Sequence, residues 1–160
     1  MCIRDRQPTC LVLSRQNLPQ YEKSGASALK GGYILSDSVK KMPDVILIAS
    51  GSEVQLAMEA QKKLAERGVD ARVVSMPCME VFEQQPERYR DSVLPRNCRA
   101  RVAIEAGSKM PWYKYVGLDG EVIGMDTFGT SGPAEELFTY YGFTVGNVVE
   151  AVMSVCGRLS

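Results

Sequence analysis

The chain has no histidine. That absence excludes a Ser-His-Asp triad, a Cys-His dyad and an HExxH metal helix, and it leaves no side chain that titrates near neutrality without help. Chemistry at pH 7 then rests on tuned carboxylates, lysines or thiols, or is supplied from elsewhere. An excess of charge is lacking too. Nineteen basic residues balance nineteen acidic ones without long runs of either sign, so there is no electrostatic footprint for nucleic acid or an anionic membrane. No long hydrophobic run exists: the strongest, Val45 to Ala49, is far short of the roughly 20 residues a membrane helix needs. Cysteines are few, odd in number and scattered, at positions 2, 10, 78, 98 and 156, with no CxxC pair. This pattern predicts reduced thiols in a cytoplasmic protein rather than a disulfide frame or a zinc site.

What is present is ordinary: 160 residues, 45% apolar, 24% charged and 8% aromatic, one domain's worth of soluble globular chain. The head, MCIRDR, has no apolar core of a secretory signal and does not join naturally to the apolar run beyond it. TCLVLS from Thr9 reads as a buried strand leading into the polar turn SRQNLPQ, and Tyr21 to Lys30 reads as a connecting segment. GGYILSDS is a strand opened by two glycines. DVILIAS is apolar on both pleat faces, as a parallel strand covered on each side is. Ser50-Gly51-Ser52-Glu53 fits a capping box, with the Ser50 hydroxyl accepting from the Glu53 amide and the Glu53 carboxylate reaching back. Val54, Ala57, Met58, Leu64 and Ala65 form the apolar face of the helix this box opens, and Gly68 ends it in a left-handed conformation.

ARVVSM is the next strand and completes a β-α-β unit. Two short helices divided at Gln85-Pro86 come next, stopped by Pro95, and ARVAIEAG is a further strand. Trp112 to Gly117 and Glu121 to Met125 read as extended runs joined by Leu118-Asp119-Gly120 in a hairpin or tight connection. Pro133-Ala134-Glu135-Glu136 opens a helix ended by Gly142, and a last amphipathic helix runs from about Asn147 to Val155. The whole predicts an α/β three-layer sandwich with a mostly parallel sheet and an antiparallel strand near its end.

Each candidate site carries a functional and a plain reading. The Ser50 helix start offers amides to an anion, but Glu53 already places negative charge there. Cys78, after Pro77, is a reactive thiol or a small buried filler. Glu105 is a strand-end carboxylate without a second acid identifiable nearby, which favours a structural or subunit-contact role over acid-base work. Asp126 is a metal ligand or, lacking companions, a turn-former. Trp112, Tyr113 and Tyr115 stack on a base or sugar, or pack at a core edge or interface, and the neutral chain favours packing. Arg15 sits on a polar turn past a strand, placed for bidentate contact with phosphate or carboxylate, with a solvated arginine as the default.

LVLSRQNLP, GGYILSD, DVILIASGSEVQLAMEA, GVDARVVSMPCMEVFEQQ, SVLP, ARVAIEAG, WYKYVGLDGEVIGMDTFGTSGPAEELF and YGFTVGNVV occur in that order. Together, from about Gln7 to Val155, they closely resemble the C-terminal part of transketolases. The resemblance implies a homodimeric parent of the pentose phosphate pathway that moves a two-carbon ketol unit between sugar phosphates, using thiamine diphosphate and a divalent metal, magnesium or calcium. It implies that the cofactor and metal motif, the activating glutamate and most catalytic histidines lie in N-terminal and middle domains absent from this chain, which itself binds no cofactor. It also assigns one residue: the arginine of the SRQ block, here Arg15, contacts the substrate phosphate. The expected division is residues 1–6 as an extraneous head, 7–30 as a remnant of the middle, pyrimidine-binding domain with its linker, and 31–160 as the C-terminal domain. The chain is then a truncated reading frame, inactive alone; the alternative is a freestanding module for dimerisation or small-anion binding. Met79 stands where the family commonly has tryptophan, and GSKMPW replaces a more usual glycine-tryptophan arrangement.

Overall fold

The computed structural model describes residues 10, 13, 14 and 16–159. Its strands are β1 (Tyr33–Ser36), β2 (Val45–Ala49), β3 (Ala71–Ser75), β4 (Arg101–Ser108) and β5 (Glu121–Met125). Among the described residues they form one five-stranded sheet in the order β1-β3-β2-β4-β5. The helices are α1 (Glu53–Glu66), α2 (Met79–Glu83), α3 (Glu87–Val93), α4 (Tyr113–Val116), α5 (Ala134–Tyr140) and α6 (Val145–Leu159).

β2 is central because every one of its side chains is apolar, and Val45 to Ala49 are fully buried. Leu47 and Ala49 face a core with Ala57, Ala60 and Leu64 of α1 and Val148, Val152 and Val155 of α6. Ile46 and Ile48 face a second core with Phe82 of α2, Val93 of α3, and Trp112 and Tyr115. Two helical layers therefore cover the sheet, as the sequence predicts. The apolar face of α1 is as expected at Val54, Ala57 and Leu64, and it includes Ala60, while Met58 is only half-buried and Ala65 is exposed. Left-handed glycines come after α1 and α5 at Gly68 (φ 78°) and Gly142 (φ 81°). Thr144 caps α6, its hydroxyl accepting from the Asn147 amide at 3.2 Å.

Two expectations are corrected. The antiparallel strand is β1, paired with β3 at the opposite edge from β5, and β5 runs parallel to β4. The reason at β1 is connection length. The link to β2, residues 37–44, holds no helix, and a parallel crossover needs about a dozen residues or more, so β1 runs opposite to β2 and hence to its neighbour β3. At the other edge no hairpin forms. Met110–Trp112 is a 3-10 turn and Tyr113–Val116 is helical, which carries the chain over the second core so that β5 re-enters parallel. Trp112, Tyr115 and Val116 are buried at helical, not strand, spacing. The predicted strand TCLVLS lies largely outside the described residues.

Candidate functional site

The parallel strands end on one side of the sheet, and the order of the strands makes that side uneven. After β2 the chain steps to β3 on one flank, then crosses to β4 on the other. The carboxyl ends of β2 and β4 therefore flank a topological switch point, the crevice where open α/β sheets place their ligands. Because Ala49 is in register with Ile104, the next residues along, Ser50 and Glu105, arrive side by side. The Ser50 hydroxyl donates to Glu105 Oε2 at 2.6 Å.

This geometry corrects the capping-box expectation. Ser50 is spent on Glu105, and the residue before α1 is Ser52, which makes no side-chain cap bond and instead donates its hydroxyl to Glu53 Oε1 at 2.8 Å. Glu53 is 4% exposed. Burial pushes its carboxyl above the ordinary carboxylate range; the Ser52 hydroxyl opposes this, the nearby Glu105 charge adds to it, and backbone amides including that of Ala106 pull it back. Burial likewise raises Glu105, with the Ser50 hydroxyl opposing. The second acid that the sequence did not reveal beside Glu105 is thus Glu53, more than fifty positions away in the chain and brought in by the β2–β4 register. Two strand-end residues following all-apolar runs were the available signal.

This pair of acids works against an anion at the start of α1. The same donor set does not fit thiamine diphosphate or its metal: a diphosphate needs cations and free amides, whereas this helix start presents carboxylates. Among the described residues no group of three or more His, Cys, Asp or Glu side chains is gathered to hold a metal ion.

The remaining candidates separate. Cys78 is half-buried, and its thiol faces Glu80 Oε2 at 3.5 Å, a carboxylate where a nucleophilic thiolate requires a cation. Asp126 pairs with Lys109 Nζ at 2.6 Å in an exposed bend after β5. Trp112 and Tyr115 pack edge to face, centroids 6.4 Å apart, inside the second core. Burial, and then hydrogen bonding to Glu83, raises the Tyr115 hydroxyl. Tyr113 is exposed and joins Met110, Met125 and Phe128 around an open groove of about 630 Å³. Arg15 lies outside the described residues. No described helix is long and apolar enough to cross a membrane.

The model of the transketolase-like C-terminal domain matches residues 31–144. The chain belongs to the transketolase-like C-terminal domain family. Transketolase 2 of Escherichia coli (strain K12) is 50% identical over 157 residues, covering 96% of this chain and 23% of that protein. The transketolase of Bacillus subtilis (strain 168) is 49% identical over 155 residues, covering 94% and 23%. Among solved structures, the transketolase of Leishmania mexicana superposes with a TM-score of 0.82 at 37% identity, over 90% of this chain and 21% of that one. A Pichia stipitis transketolase, in complex with sedoheptulose-7-phosphate, superposes with a TM-score of 0.80 at 41% identity, over 89% and 21%. The chain therefore spans less than a quarter of the length of these transketolases. In this transketolase-like domain the second core, the switch-point acids and the open groove are all built from residues of the described chain.

Proposed function

We propose that this chain is the C-terminal portion of a transketolase, an enzyme that transfers a two-carbon ketol unit between sugar phosphates, and that it does not perform the transfer alone. The observation that carries this reading is similarity over 96% of the chain, at 50% identity, to 23% of a transketolase. Residues 31–160 are the C-terminal domain, 7–30 a remnant of the middle domain and linker, and 1–6 an unrelated head. In the parent, thiamine diphosphate and a divalent metal supply the electron sink and are held by the preceding domains. The working assembly is a cytoplasmic homodimer, and its substrates are sugar phosphates.

Arg15 is the residue of this chain that meets the substrate. Its guanidinium grips the phosphate by bidentate hydrogen bonds, which positions the sugar without entering the chemistry. The test is a fusion in which the preceding three quarters of the E. coli relative are joined to this chain. Ketol transfer by the fusion, and none by the chain alone, is the expected result; a folded, cofactor-loaded fusion without transfer refutes the reading. Within the fusion, Arg15→Ala weakens phosphorylated acceptors far more than unphosphorylated analogues. Equal losses for both remove Arg15 from the phosphate site.

A further inference from the structure

A cluster of exposed large apolar side chains surrounds the carboxyl ends of β4 and β5. Phe128 is 98% exposed, Met110 77% and Tyr113 54%, and with Met125 they wall the groove of about 630 Å³. Single exposed apolar residues are ordinary on a protein surface, whereas a concave cluster marks a place where something docks. The charges at its rim, Lys109 and Asp126, are paired with each other at 2.6 Å, so the groove presents little net charge to an ionic ligand. Its chemistry suits an apolar protein surface.

The direction from which the chain arrives says which protein. Ser14 Oγ lies 3.6 Å from the point where a side chain on Gly51 would begin, just past β2. Leu18 and Pro19 line a hollow of about 210 Å³ with Gly51, Ser52 and Ser75, at the carboxyl ends of β2 and β3. The segment before β1 thus enters over the same side of the sheet that carries the groove. In the E. coli relative more than three quarters of the protein lies outside the matched region, which covers 23% of it. With this chain as the C-terminal portion of such a protein, that bulk joins the domain on the groove's side of the sheet.

We infer that the groove walled by Met110, Tyr113, Met125 and Phe128 is the seat of an apolar surface of the preceding transketolase domains, docking in cis over the carboxyl end of the sheet. This inference rests on the reading of the chain as part of a transketolase. It adds which face meets the rest of the enzyme and which side chains are covered.

Cysteine accessibility tests it. Phe128→Cys and, independently, Tyr113→Cys are introduced both into the 160-residue chain and into the fusion with the E. coli domains, and N-ethylmaleimide modification is followed site by site by peptide mass spectrometry. Both positions are exposed, so neither change disturbs a core. Val39→Cys is the control. Val39 is 97% exposed at the amino end of the sheet, where its amide donates to Asp70. In the fusion, modification at 128 and 113 slows at least about tenfold while Val39→Cys is unchanged, because a docked apolar surface excludes water and reagent. Equal rates in chain and fusion overturn the proposal. Protection already present in the lone chain and growing with its concentration also overturns it, because the occupant is then a second copy. Ketol transfer by the unsubstituted fusion is measured separately. Protection without transfer refutes the proposed function and leaves the docked face standing; transfer with both sites open refutes the docked face alone.

Discussion

Replacing Ser50 by alanine separates the observed arrangement from the one its sequence suggests. The Ser50 hydroxyl donates to Glu105 Oε2 at 2.6 Å, a hydrogen bond to a carboxyl group in a partly buried setting. Such bonds contribute about 1.5–3 kcal/mol, and water reaching a half-buried site replaces part of this, so Ser50→Ala costs about 1–2 kcal/mol at pH 7. In a domain of this size that lowers Tm by roughly 2–8 °C. In a Glu105→Gln background the acceptor is neutral, and the same change costs about 0.5–1 kcal/mol, the lower end for neutral pairs. A double-mutant cycle by urea denaturation, followed by circular dichroism, therefore shows a coupling of about 1 kcal/mol at pH 7 that shrinks at pH 4, where Glu105 itself takes up a proton. A capping hydroxyl behaves differently. Loss of an N-cap costs about 1 kcal/mol whatever occupies position 105 and with no such dependence on pH. Equal costs in the two backgrounds, or a smaller cost at pH 7 than at pH 4, refute the Ser50–Glu105 assignment.

Glu53→Gln stabilises the domain at pH 7. Burial raises the folded-state carboxyl of Glu53, so the native state binds the proton more tightly than the unfolded chain and stability falls as pH rises through the window from about 4.3 to the raised value. The variant, which keeps an acceptor for Ser52, lacks that fall; its advantage disappears below about pH 4, and a constant advantage across pH refutes the account. Gly31→Ala and Gly68→Ala probe similar positive φ values, 80° and 78°, in different surroundings. A Cβ at Gly31 falls 2.3 Å from the Cys78 carbonyl oxygen, whereas Gly68 has open space. Thermal melts then show about 1 kcal/mol lost at Gly68 and at least about 3 kcal/mol at Gly31, and equal losses contradict the clash. Leu64→Ala empties a fully buried position between α1 and the sheet and costs about 3–5 kcal/mol by denaturant titration, with a loss under about 1 kcal/mol inconsistent with that packing.

Local chemistry settled much of this domain before any tertiary contact. The all-apolar run Val45 to Ala49 permits only a strand covered on both faces, Pro86 separates α2 from α3 because it cannot continue a helix, and Gly68 and Gly142 supply the left-handed turns that end two others. These are decisions made within a turn or two of chain. The ordered blocks from LVLSRQNLP to YGFTVGNVV likewise carried the family, whereas Arg15, which the resemblance singles out, lies outside the described residues.

Other features had no local cause to read. The antiparallel partner of β1 is chosen by a connection too short for a crossover, and residues 112–116 coil because Trp112, Tyr115 and Val116 together fill the second core, a demand invisible in a run that is locally compatible with a strand. Ser50 and Glu53 make a plausible capping box in sequence. Only the pairing of β2 with β4 delivers Glu105, fifty-five positions from Ser50, and a short bond to a carboxylate then outcompetes the local one. The sequence by itself determined which segments are strands and helices wherever burial and backbone chemistry agreed within a few residues. Register across the sheet, which no single segment contains, decided which acids meet and which side chains stand uncovered.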